Sequence, residues 1–210
     1  MNPRRGRGPS TVKRRAILDA AREAFLAGGY AGTSMDDVAA SAGVSKQTVY
    51  AHFLDKTRLF HELIESDIAT SDGARHPLVL RMANTDDVER DLVTFARAHV
   101  ADVMQPHLVR LRRMLMAEAE RFPELAAAWY DAGPRTSCAV FAGWFEALDR
   151  RGLLQVPDPW LAAEHFNWLV LSIPLNRAMS LPLEELPYTT AELEHYADEG
   201  VRVFLAAYGP

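Results

Sequence analysis

The segment from Thr33 to Lys56 leaves this chain few ways to fold. Ser34 can accept a hydrogen bond from a free backbone N–H of an opening helical turn. Asp36 and Asp37 then place negative charge at the positive end of that helix's dipole. Met35, Val38, Ala39 and Ala42 recur at helical spacing and give the short helix one apolar face. Gly43 stands where the helix must stop and the backbone needs positive φ. Ser45 caps a second helix, from which Val49 and Phe53 turn inward at i and i+4. Lys46, Gln47, Thr48, Tyr50 and His52 are left facing outward. Two short helices around a tight turn, with polar side chains on the outer edge of the second, form the arrangement by which a helix-turn-helix enters the major groove of DNA.

Such a pair buries too little surface to stand alone. Residues 12–27 supply a supporting helix with an apolar stripe of Ile17, Ala20, Ala21, Ala24 and Phe25, ended by Gly28 and Gly29, with Tyr30 packing under the loop. Asp55 can cap a further helix carrying Leu59, Phe60, Leu63 and Ile64. The reading is therefore a basic arm over 1–11 without fixed structure, a helix-turn-helix domain over 12–54, a connecting helix over 55–72 and a second domain over 73–210. No proline occurs between Ser10 and His76, whereas nine follow from Pro77 to Pro187 and divide the second domain into helices. These are expected near 86–104, 107–120, 123–130, 135–151, 159–180 and 190–207, with a loop over 73–85. The fold class is all-α: an N-terminal three-helix helix-turn-helix domain plus a larger helical domain.

Charge is divided unevenly. The chain is −5 overall, yet residues 1–61 hold ten Lys/Arg against five Asp/Glu, and the remainder thirteen against twenty-three. A basic head on an acidic body is the footprint of a protein whose one end meets phosphate. Arg4, Arg5, Arg7, Lys13, Arg14 and Arg15 concentrate that charge at the start. One cysteine, Cys138, with no paired spacing fits a reduced, cytoplasmic setting (here nucleoid-associated) and a small buried residue. No apolar run approaches membrane-spanning length. The seven histidines show no His-x-x-x-His spacing, and there is neither a Gly-rich phosphate loop nor a nucleophile elbow, so no metal, cofactor or enzymatic activity is expected.

The segment over 12–62 resembles the TetR family of bacterial transcriptional regulators, in register and without gaps. The resemblance is carried by Gly29-Tyr30, Thr33-Ser34-Met35, Val38 through Ser45, Thr48-Val49-Tyr50, His52-Phe53, Lys56 and Leu59-Phe60. Further on, Arg112-Arg113-Met114 and Glu118 through Leu125 look like one subgroup of that family's C-terminal domains. The resemblance implies an N-terminal DNA-binding domain, a larger domain for ligand binding and dimerisation, and a homodimer in which the last two helices pair with their symmetry mates as a four-helix bundle. It implies Thr33, Tyr50, His52 and Lys56 as phosphate contacts, which set register and not sequence. Ser34, Ser45 and Thr48 join them at the helix openings. Gln47 can pair bidentately with adenine, and Lys46 can reach guanine or phosphate. Ala51 departs from the aromatic or basic residue common at that position, so one frequent contact is missing.

The resemblance further implies a ligand-responsive regulator, a repressor that binds a near-palindromic double-stranded operator and is released by a small apolar or aromatic effector. Phe95, His99, Met114, Trp129, Phe141, Trp144, Phe145 and Trp168 supply aromatic and sulfur surface suited to such a pocket. His99, Asn176 and Arg177 could anchor its polar groups. Each of these residues could instead simply fill core. Two rivals are a constitutive DNA-binding dimer without an effector, and an enzyme or carrier that retained the helix-turn-helix for assembly.

Overall fold

The computed structural model describes residues 9–69, 77–182 and 188–210. Every regular element among them is helical: α1 (Pro9–Gly32), α2 (Met35–Ser41), α3 (Lys46–Phe53), α4 (Lys56–Ala69), α5 (Pro77–Arg81), α6 (Val88–Val103), α7 (Pro106–Glu118), α8 (Pro123–Tyr130), α9 (Thr136–Arg150), α10 (Pro159–Ser180) and α11 (Thr190–Tyr208). No described helix is long and apolar enough to cross a membrane. The chain divides into two compact units, Met1–Ser66 with Leu111–Trp129, and Asp67–Arg110 with Tyr130–Pro210. Residues 111–129 thus fall with the N-terminal helices and not with the rest of the 73–210 span. Most of the arm expected over 1–11 lies outside the described residues, and residues 9–11 already belong to α1.

In the first unit, α1 is broken at Gly29, whose φ of 70° no other residue adopts without strain. The break turns Tyr30 back under the helix. There Phe25 stacks on it at 5.7 Å, Phe60 meets it edge-on at 5.4 Å, and Phe122 closes the cluster at 4.8 Å. Ile17, Phe25, Val38, Val49, Phe53, Leu59, Phe60 and Leu63 are fully buried around these rings, with Leu111 and Leu125 from the later segment.

The second unit is built on α6, α9, α10 and α11. A chain of rings runs through its core, from Phe95 to Phe141 (5.5 Å), Phe166 (5.4 Å) and Phe204 (5.4 Å). Side-chain caps open its helices: Asp87 on α6, Asp158 on α10, and a reciprocal Thr189–Glu192 pair on α11. Arg97 grips Asp198 with two bonds of 2.7 Å, tying α6 to α11. Pro134, expected as a boundary, sits instead inside a π-helical turn over 131–135 that carries α8 into α9. Proline lacks the N–H that an α-helical turn needs, and a widened turn absorbs the loss. The loop expected over 73–85 is also corrected: residues 77–84 form α5 and a 3₁₀ turn. Pro77 suits a first helical position, Met82 is fully buried, and the Trp144 indole N–H donates to the Val79 carbonyl at 3.2 Å.

Candidate nucleic-acid interface

Ser34 caps α2: its hydroxyl oxygen accepts from the Asp37 N–H at 3.1 Å, while the Asp37 carboxylate accepts from the Ser34 N–H. The side-chain bond from the Ser34 hydroxyl, added to this backbone one, holds the Asp37 carboxyl below the usual carboxylate range. Gly43 takes φ 65° at the turn. Ser45 opens α3 by accepting from the Thr48 N–H at 3.2 Å, and the two hydroxyls meet at 2.8 Å. Because Val49 and Phe53 are fully buried, the helix cannot rotate, and its other side stays in water. That side carries Lys46 and Gln47, both exposed, with Tyr50 at 40% exposure and His52 partly so.

Two lysines expected at DNA are engaged within the protein. Lys46 pairs with Asp36 at 2.8 Å, both side chains remaining 60% exposed, and the hydrogen bond it donates to Asp36 raises the lysine's pKa. Lys56 points the other way. Its ammonium donates to the carbonyls of Tyr30 (2.8 Å) and Thr33 (2.9 Å) and lies 4.4 Å from the centre of the Tyr30 ring. Thr33, expected to face phosphate, is turned inward at 5% exposure, with its hydroxyl donating to the Gly29 and Ala24 carbonyls. Sequence reasoning missed both the Asp36 partner and the backbone carbonyls. It also missed Leu54, the one described non-glycine residue with positive φ (55°), which joins α3 to α4.

The eight expected pocket residues are divided between the two units, six in the second and two in the first. Phe95, Phe141, Trp144 and Phe145 are buried in the core of the second unit, packed on one another. His99 is buried beside them, stacked on Phe95 at 5.7 Å, with Nε2 meeting the Asn167 Oδ1 at 3.1 Å. Burial holds its pKa below the ordinary value, against the smaller upward pull of Asn167. Met114 and Trp129 belong to the other unit. Trp168, at 43% exposure, stands on the outer side of α10, because Phe166, Asn167 and Val170 take the inner positions. Among the described residues, the Trp129 indole nitrogen is buried without a hydrogen-bond partner. Cys138 is buried, and burial pushes its thiol up to about 11, which removes it as a reactive thiolate.

Comparison with known proteins gives matches at both ends of the chain. Residues 17–63 match the model of bacterial regulatory proteins of the tetR family, and residues 90–210 match the C-terminal domain of AefR-like transcriptional repressors. A solved structure of a TetR-family transcriptional regulator from Mesorhizobium loti is 40% identical, with a TM-score of 0.85 over 97% of this chain and 100% of that one. The flavonoid-responsive regulator FrrA is 31% identical, with a TM-score of 0.75 over 94% and 97%. The transcriptional repressor AcnR of Corynebacterium efficiens is 30% identical over 118 residues, and the match spans only 56% of either chain.

Proposed function

The chain belongs to the TetR family of bacterial transcriptional regulators, and from that premise we propose that it binds a near-palindromic DNA operator as a homodimer, represses transcription, and is released by a small apolar or aromatic effector. The observation that carries the reading is α3 itself. Lys46, Gln47, Tyr50 and His52 share the side left in water by Val49 and Phe53, so one short helix presents amide, ammonium, phenol and imidazole along a single edge. Gln47 at the helix opening reads base edges, and Lys46, Thr48, Tyr50 and His52 hold phosphate beside it, with the α2 opening at Ser34 and the Ser45 cap framing them. One such helix spans too few base pairs for a useful site, which is the physical case for a dimer. Leu161 and Trp168, two turns apart on α10 and 44% and 43% exposed, supply apolar surface for that contact through α10 and α11.

Repression agrees with the description of the C-terminal family model, and an aromatic effector agrees with the name of FrrA. The unpartnered Trp129 indole N–H is a donor that an effector oxygen would satisfy. The protein acts in the cytoplasm, at the nucleoid. The test is fluorescence anisotropy of the protein on duplexes enriched from random DNA by the protein itself, across a salt series, with and without a panel of flavonoids. Binding that weakens with salt and is released by an aromatic compound is the expected result. Absence of salt-sensitive binding to any duplex overturns the reading. Gln47→Ala should cost about 1–3 kcal/mol per half-site on the enriched duplex and little on scrambled DNA. Equal losses on both would remove Gln47 from base contact.

A further inference from the structure

We propose that the first unit holds a recognition site for an organic anion, a carboxylate on an apolar body. Arg112 of α7 pairs with the carboxylate, while the Trp129 indole of α8 and the His61 imidazole of α4 donate to its oxygens. The site rests on the reading that an effector releases the operator, and it gives that effector a charge. All three residues belong to the one unit.

Their helices share an anchor. Tyr30 meets Phe60 of α4 at 5.4 Å and Phe122, just before α8, at 4.8 Å. At the end of α7, a Glu118 carboxylate oxygen lies 3.6 Å from where a Cβ on Gly29 would stand. With a rise of about 1.5 Å per residue, Arg112 stands about 9 Å along α7 from that anchor and Trp129 about 10 Å along α8, and His61 directly follows Phe60. Leu111 and Leu125 are fully buried, so α7 and α8 stay packed on the unit at those heights. One helical turn from each polar group is a buried apolar side chain: Ile64 for His61, Leu115 for Arg112 and Leu125 for Trp129.

None of the three groups has a partner among the described residues. The Trp129 Nε1 and His61 Nε2 atoms are shut away from water without a hydrogen bond, an arrangement that costs free energy and is rare in folded proteins. Arg14, Arg15, Arg22 and Arg58 of the same unit each hold a carboxylate. Arg112, partly buried, has neither ion pair nor hydrogen bond among the described residues. Burial lowers its pKa, and no carboxylate of the described residues pulls it back. A guanidinium does not shed its proton to relieve desolvation, as a lysine can, so an anion from outside the chain is the natural complement. Its planar fork matches a carboxylate with two parallel bonds. The indole supplies one further N–H, and the imidazole another in the tautomer protonated on Nε2. One cation and two donors set among apolar side chains suit a monoanion with an apolar body.

The test needs no DNA at first. Cinnamate, 2-naphthoate and octanoate are each titrated calorimetrically into the free protein beside their neutral amides, which keep the shape and remove the charge. At least one acid should bind about tenfold or more tightly than its amide. Arg112→Gln should abolish that preference by weakening the acid and leaving the amide unchanged. Trp129→Phe should weaken acid and amide alike, because both present an acceptor oxygen. An unpaired guanidinium stabilises nothing, so Arg112→Gln without ligand should unfold in urea at the wild-type midpoint or above it. The proposal is overturned by a lower midpoint, by acids that do not bind or bind no better than their amides, or by a preference that survives Arg112→Gln. The function is separated by adding the enriched duplex. An acid held through Arg112 that leaves the duplex bound refutes release by an effector and keeps the site. Release by neutral compounds alone, equal in wild type and Arg112→Gln, refutes the site and keeps the function.

Discussion

Gly200 stands in the middle of α11, a position where intrinsic helix preference and tertiary packing oppose each other. Replacing glycine by alanine in a helix interior adds about 1 kcal/mol of stability by propensity alone. Against this, a Cβ at Gly200 would lie 2.9 Å from both the carbonyl carbon and the oxygen of Leu169, and 3.1 Å from the Val170 nitrogen. Ordinary contact begins at 3.4 Å, so α10 and α11 must part by about half an ångström at this crossing. The obstacle is the backbone of α10, not the end of a flexible side chain. Moving it disturbs Phe166 and Val170, and Phe166 holds Phe204 at 5.4 Å. Overpacking of this kind costs about 1–3 kcal/mol, which leaves Gly200→Ala less stable by about 1 kcal/mol after the propensity term is subtracted. In a chain of this length that lowers Tm by about 2–4 °C. Urea unfolding should be followed by tryptophan fluorescence and circular dichroism at one protomer concentration, because a dimer's stability depends on concentration. A midpoint equal to or above that of the wild type would show that the helices yield freely, and the packing argument would be wrong.

Further outcomes follow from individual contacts. Asp36→Asn releases Lys46 and removes a negative charge from the DNA-facing edge, so binding to enriched and scrambled duplexes should tighten together, most at low salt; no change across a salt titration would dismiss Asp36 as a competitor. His99 is buried with its pKa below the ordinary 6.5, so the unfolded chain takes up a proton that the folded one refuses. Stability should therefore be full above that value and decline as pH falls below it, and His99→Gln should flatten the decline between about pH 7 and 5 in urea midpoints. An unaltered pH dependence in the variant would exclude His99 as its source. Trp168→Glu should give monomers by sedimentation velocity while leaving the helical circular dichroism intact, and a persistent dimer would place the interface elsewhere.

What could be read from the chain was whatever depends on near neighbours. The caps at Ser34 and Ser45, the turn at Gly43 and the inward pair Val49 and Phe53 all rest on spacings of three or four residues. Partners at longer range were invisible. Asp36 lies ten residues from Lys46, the Tyr30 carbonyl twenty-six from Lys56, and Asn167 sixty-eight from His99. The segment 77–84 was missed because five helical residues carry no readable period; its place is held by Met82 in the core and by the distant Trp144. The outward place of Trp168 was hidden for another reason. α10 has apolar residues on every side, so periodicity does not say that Phe166 faces in while Leu161, Trp168 and Ile173 face out. Residues suited to a pocket and to a core are the same types, and only contacts separate Phe95 and Phe141, packed on each other, from Trp129 with its open indole nitrogen.

Charge shows the same limit in a form that bears on function. Ten basic residues before residue 62 suggest a head full of phosphate contacts, yet most of those described are already occupied. Arg14 and Arg58 pair with Glu62, Arg15 and Arg22 share Asp19, Lys46 holds Asp36, and Lys56 is bound to carbonyls. Each must exchange a partner in order to serve DNA, and the exchanges differ in cost. An exposed ion pair such as Lys46–Asp36 is weakly held in water, so a phosphate can take the place of the carboxylate. Lys56 is held differently. Its partners are two backbone carbonyls beside a buried ring, and leaving them costs more than parting an exposed ion pair. Two lysines of equal formal charge, ten residues apart, therefore differ in what they would give up to reach a duplex: Lys46 an exposed carboxylate, Lys56 two bonds to the backbone.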